Sequence, residues 1–104
     1  MSDNRRSSTR HDVHLPGSLE VNNITFDIVI ENISLGGAYF TGHKLPMGHQ
    51  LTIRFRLPTH DDPIDSPASV RWCTETGTGV QFAGLRAREV WALNKYFDQL
   101  LSDG

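Results

Sequence analysis

Apolar and polar positions alternate along most of this chain, and only near its end does the period change. Ile24, Phe26, Ile28 and Ile30 fall on every second position, with Thr25, Asp27 and Val29 between them. Period-2 alternation of this kind marks a strand with one face in a core. Leu19 to Val21 reads as a preceding strand, joined to the next by a hairpin turn at Asn22-Asn23. Leu51, Ile53, Phe55 and Leu57 alternate again, with Thr52, Arg54 and Arg56 on the other face. A loop from Pro58 to Pro63 follows. Ala68, Val70 and Trp72 resume the alternation, and Thr76-Gly77 turns the chain into Val80 and Phe82. A short strand from Ala38 to Thr41, bracketed by Gly37 and Gly42, brings the expected total to about six. Short strands at such close spacing favour an antiparallel barrel or sandwich. From Val90 onward the spacing becomes helical: Val90, Leu93, Phe97, Leu100 and Leu101 make one stripe, with Arg88, Glu89, Lys95 and Asp98 on other faces. Such a helix is expected to cover an open end or face of the barrel.

Length and composition set the frame. A chain of 104 residues with 38% hydrophobic and 21% charged content holds one modest core, so a single domain is expected. The lone Cys73 excludes an intramolecular disulfide and an all-cysteine metal site. His11, His14, His43, His49 and His60 are scattered without acidic or cysteine partners at ligand spacing, so no metal or other cofactor is expected. No apolar run is long enough to span a membrane, and no secretion signal precedes the strands, which makes the cytoplasm the expected location. No hydrolase or kinase signature appears, and no enzymatic activity is expected.

Charge changes the picture at the N-terminus. The net charge is −2, yet Arg5, Arg6 and Arg10 crowd six positions, and arginine outnumbers lysine eight to two. Residues 1–12, polar and without periodicity, read as a flexible arm on a barrel-plus-helix unit at 13–104. Guanidinium groups bind phosphate or a base edge in a planar, bidentate manner. A second polar cluster follows the strand that ends at Glu31: Asn32-Ile33-Ser34-Leu35-Gly36-Gly37. Its tandem glycines are expected to take positive φ and to let backbone approach a ligand. By itself this cluster reads as a turn whose Asn and Ser bond their own backbone.

In order, Arg6-x-x-x-Arg10 and then Asn32-x-Ser34-x-x-Gly37 resemble the two-part signature of the PilZ domain, a bacterial receptor for cyclic di-GMP. Val70-Arg71-Trp72, a glycine turn and Gly79-Val80-Gln81-Phe82 resemble the family's closing hairpin, and the likeness runs from Arg5 to about Leu101. The resemblance implies an all-β fold, a six-stranded antiparallel barrel with a C-terminal helix. It also implies a ligand with about two phosphodiester charges and two guanines. Arg6 and Arg10 would take phosphate oxygens or the O6 and N7 acceptors of guanine, or stack on a base. Asn32 would read a guanine edge, Ser34 would reach a phosphate or base, and Gly36 and Gly37 would give clearance.

Arg5 has two readings, a solvated arm residue or a contact to a second, stacked ligand molecule, so a monomer and a ligand-linked dimer both remain open. Trp72 also has two: a base-stacking residue at the lip of the site, or core. Asn32 stands where the family pattern also allows Asp, and it offers one carbonyl acceptor where a carboxylate offers two oxygens, which implies weaker binding. Strand parity sets Asn32 and Ser34 on the core face with Ile30 unless a bulge intervenes. The function implied is a receptor that changes shape on binding and signals to an unidentified downstream protein, with no DNA, RNA or membrane insertion. The alternatives are a PilZ-like adaptor of pilus or motility machinery that binds no nucleotide, and a small barrel for single-stranded RNA, hinted at only by Arg54 and Arg56.

Overall fold

The computed structural model describes residues 10–103, which form six strands and one helix. These are β1 (His11–Val21), β2 (Ile24–Ile33), β3 (Gly37–Thr41), β4 (Gln50–Phe55), β5 (Ile64–Cys73), β6 (Gly77–Phe82) and α1 (Ala87–Asp103). The strands close into an antiparallel barrel in the order β1-β2-β3-β6-β5-β4. Closure gives each strand two neighbours, with β1 joined to β4 over Gly17 to Glu20.

The alternation read from the sequence builds the interior. Leu19, Ile28, Ile30, Phe40, Ile53, Phe55, Ile64, Val70 and Val80 are all buried. Asn22 and Asn23 take φ of 54° and 67°, the left-handed pair that a two-residue hairpin needs, and Val21 pairs directly with Ile24. That hairpin tip lies beyond the packed interior, so Ile24 is exposed despite its parity with Ile28. Strand β1 begins at His11, inside the segment read as arm, because His11 and Asp12 pair with Ile33 and Asn32.

Helix α1 starts three residues earlier than its apolar stripe indicates. It buries Ala92, Leu93, Tyr96 and Phe97 and leaves Leu101 exposed. Glu89, assigned by periodicity to an outer face, is instead buried. Its Oε1 accepts the Arg86 backbone N–H at 2.9 Å, and its Oε2 accepts the Asp65 N–H at 3.3 Å and faces the Arg86 guanidinium at 3.5 Å. The carboxylate thus caps the helix N-terminus and ties it to β5. Burial alone would raise the Glu89 pKa, but the two backbone donors and the Arg86 guanidinium together lower it. His11 stacks on Phe97 with centroids 4.1 Å apart, joining the start of β1 to the helix.

Three irregularities interrupt the ladders. On β1 the register jumps from Asp12↔Asn32 to Leu15↔Ile30, so Val13 and His14 face the single residue Glu31. On β2 the pairing passes from Ile30↔Phe40 to Asn32↔Tyr39, which makes Glu31 an extra residue against β3. On β5 it passes from Val70↔Val80 to Trp72↔Gly79, with Arg71 extra. Each extra residue reverses which face the following side chains occupy.

Candidate ligand-binding surface

The bulges create a row that the simple alternation does not contain. Beyond Glu31, Asn32 turns outward while Ile33 returns to the core. Beyond Arg71, Trp72 leaves the buried series of Ala68 and Val70 and is only half-buried. Register then aligns Asp12, Asn32, Tyr39, Gly79 and Trp72 as direct neighbours across β1, β2, β3, β6 and β5. Trp72 is therefore not part of the core.

Arg10 lies against this row. Its Nη1 donates to Asn32 Oδ1 at 2.6 Å, and its guanidinium carbon stands 4.8 Å from the Trp72 ring centroid. Three residues distant in sequence are thereby gathered on one surface. The single carbonyl acceptor of Asn32 is engaged by Arg10, which leaves its amide N–H donors for another group. Cation–π contact fixes the plane of the guanidinium without neutralising it.

Tyr39, which the sequence reading passed over, lies between them. Its ring is parallel to Trp72 within 5°, with centroids 6.5 Å apart. Its hydroxyl hydrogen-bonds with Thr74 Oγ1 at 2.7 Å and Thr76 Oγ1 at 3.0 Å, and these contacts lower its pKa. Nearby, the bulge residue Glu31 accepts from Thr41 Oγ1 at 3.0 Å and stands 3.9 Å from His14 Nδ1.

Ser34, Gly36 and Gly37 form the adjoining β2–β3 turn. The buried Ser34 hydroxyl accepts the backbone N–H groups of Gly36 at 3.1 Å and Gly37 at 3.2 Å, while Ser34 N–H donates to the Gly37 carbonyl at 2.8 Å. The expectation of positive φ at the tandem glycines is corrected here: the positive-φ glycines are Gly42 and Gly48. Gly37 is required for a different reason, since a Cβ there would fall 2.1 Å from the Val80 carbonyl oxygen. At Gly36 the nearest atom to such a Cβ is Ser34 Oγ at 3.8 Å, so its missing side chain clears the surface without serving the packing. Arg5 and Arg6 lie outside the described residues.

A concavity of about 480 Å³ lies elsewhere, between the β1–β2 hairpin and strands β4 and β5, and is lined by Glu20, Asn22, Gln50 and Pro67 among others. None of the residues above belongs to it. We rank the Arg10 surface higher, because flat planar ligands are held by rings and guanidinium planes rather than by open hollows. Among the described residues no group of three His, Cys, Asp or Glu side chains is gathered as a metal site, and no helix is long and apolar enough to cross a membrane.

A small closed barrel carrying a planar cation and two aromatic rings on one bulged wall is built for binding. The chain belongs to the PilZ domain family, whose profile matches residues 4–99. PilZ domains are binding and regulatory units rather than catalytic ones. The fold is shared with the Bacillus subtilis inhibitor of motility MotI/DgrA, with a TM-score of 0.80 and 24% identity over 94% of this chain and 52% of that one. The present chain therefore spans about half the length of that protein. It is also shared with the PilZ domain of CeSA from a cellulose-synthesizing bacterium, with a TM-score of 0.68 and 18% identity over 89% and 98% of the two chains. An uncharacterised Legionella protein follows at a TM-score of 0.56 and 18% identity, covering 91% and 96%. No curated protein matches the chain.

Proposed function

We propose that this protein is a receptor for cyclic di-GMP that passes the binding event to a protein partner. One observation carries the reading. Arg10 is held jointly by Asn32 and Trp72, so the arginine end of the family signature meets its second half on one outward surface. In this reading Arg10, with Arg6 ahead of it, takes a phosphate or the O6 and N7 of a guanine. The Asn32 amide donates to a base acceptor, Gly36 leaves room beside it, and Ser34 acts by holding the turn. Arg5 adds a further cation where a second ligand molecule stacks on the first.

The signal travels through the start of β1. A ligand that draws on Arg10 pulls at its neighbour His11, which is stacked on Phe97 of α1. Binding and helix position are thereby linked by one ring contact. Altered presentation of that end of the barrel is what a partner would read.

Calorimetric titration with cyclic di-GMP, against GTP and cyclic di-AMP, tests this. Saturable binding selective for cyclic di-GMP is expected, and the molar ratio distinguishes a single ligand from a stacked pair. Absence of heat and of any change in Tm at high ligand concentration would refute the receptor role and favour a nucleotide-independent adaptor.

A further inference from the structure

Gly79 of β6 has a use that barrel closure does not explain. A Cβ on Gly79 would fall 2.1 Å from the Trp72 ring, and one on Gly77 would fall 2.3 Å from the Phe40 carbonyl oxygen and 2.7 Å from Tyr39 Oη. The Trp72 ring therefore lies over Gly79, and the hydroxyl end of Tyr39 reaches over Gly77. Parallel within 5° and with centroids 6.5 Å apart, the two half-buried rings are offset neighbours that form a floor on this wall.

The two rings differ in what they carry. Trp72 carries the Arg10 guanidinium at 4.8 Å. Over Tyr39, among the described residues, no cation is stacked, and Trp72 is its one ring neighbour. The Tyr39 ring is also fixed in orientation, because its hydroxyl is bonded by Thr74 and Thr76 of the β5–β6 turn. Asn32 is its direct cross-strand partner, within the roughly 5 Å between Cβ atoms of such pairs. A planar base resting on Tyr39 would meet the Asn32 amide and the Arg10 guanidinium with its edge.

We infer that Tyr39 is the residue on which a purine base of the ligand stacks, while Trp72 acts as a positioning residue that holds Arg10. This inference rests on the cyclic di-GMP reading and assigns the ring that reading leaves open. Little ordering is needed on binding, since the floor is already set by glycine contact and by the threonine hydroxyls.

Titration of Tyr39→Leu and Tyr39→Phe with cyclic di-GMP, beside the unaltered chain and Arg10→Ala, separates the possibilities. Loss of base stacking in Tyr39→Leu is expected to weaken binding roughly tenfold or more. Tyr39→Phe keeps the ring and loses only the threonine tether, and should stay within about threefold of the unaltered protein. Equal damage in both variants would overturn the stacking role, since Tyr39 would then act only by pinning the turn. Binding lost in Arg10→Ala but unchanged in Tyr39→Leu would overturn the inference and leave the receptor reading intact. No binding by the unaltered chain would overturn both.

A second measurement needs no variant. The chain has two tyrosines, and the other, Tyr96, is buried on the inner face of α1. NMR of tyrosine-labelled protein at saturating cyclic di-GMP should move the Tyr39 ring protons upfield and leave those of Tyr96 in place. Unmoved Tyr39 signals under confirmed saturation would overturn the inference.

Discussion

Two arginines on opposite walls of the barrel make hydrogen bonds of nearly equal length with very different consequences. Arg54 on β4 donates to Asp65 Oδ2 at 2.8 Å, and the two are direct register partners on an unbroken ladder. Arg10 donates to Asn32 Oδ1 at 2.6 Å across a bulged one. The Asp65 bond and its charge raise the Arg54 pKa, and carboxylate and guanidinium cancel each other in the far field. Asn32 supplies the same geometry without the negative charge, so Arg10 is oriented and still cationic. An amide partner presents a charge, whereas a carboxylate partner consumes it. The contrast also weakens the single-stranded RNA alternative, for which Arg54 was half of the only hint.

The largest effect that sharpens this contrast is expected from Arg10→Ala. Losing a charge-assisted contact to the ligand costs about 1.5–3 kcal/mol, or roughly ten- to a hundredfold in Kd. Arg54→Ala should leave Kd within about twofold. Both variants should keep the Tm of the parent within a few degrees. Calorimetry on the pair checks this, and equal losses would erase the distinction between the walls.

A second arginine–carboxylate pair, Arg86 with the buried Glu89, extends the comparison to an interior setting. Glu89→Gln should lower stability by about 1–2 kcal/mol at neutral pH while leaving ligand affinity unchanged. The Glu89 pKa lies below its ordinary 4.5 in the folded protein. The deficit should therefore be fully present above pH about 4.5 and vanish as pH falls through the lower, folded value. Urea denaturation of both proteins at pH 7 and in acid below the folded value reads this directly, and a deficit that persists once Glu89 is protonated would mean that the loss does not come from the carboxylate charge.

The smallest effect is expected from Asp65→Asn, which gives Arg54 the kind of partner that Arg10 has. The pair is substantially exposed, so the cost in stability should stay below about 1 kcal/mol. Cyclic di-GMP affinity should not change. A weak, salt-sensitive attraction for polyanions, measured by retention on a heparin column, should appear.

Much of the architecture was legible from spacing. The Asn22-Asn23 hairpin, the buried Leu51-Ile53-Phe55-Leu57 series and the terminal helix all follow from local period and turn chemistry. The meeting of Arg10 with Asn32 was legible only through the family signature. What escaped is non-local. Parity counted along β2 continues past Ile30 unbroken, because nothing in β2 alone says that Glu31 is extra; the pairing with β3 decides it. The same holds for Trp72, whose face depends on Arg71 being skipped by β6. Tyr39 was missed because the groups that place its ring, Gly77, Thr74 and Thr76, lie elsewhere in the chain. Glu89 looked like an outer-face charge because helical spacing takes no account of the two backbone donors waiting at Arg86 and Asp65.

Glu31 also bears on how this surface can be lost over evolutionary time. Removing that one codon would change none of Arg10, Asn32, Tyr39 or Trp72. It would restore unbroken alternation to β2 and leave Asn32 outward and Ile33 inward, because Asn32 would then directly follow the inward Ile30. Recognition is lost instead when Glu31 is kept but drawn into regular pairing with β3, which turns Asn32 inward with every contact residue still present in the sequence.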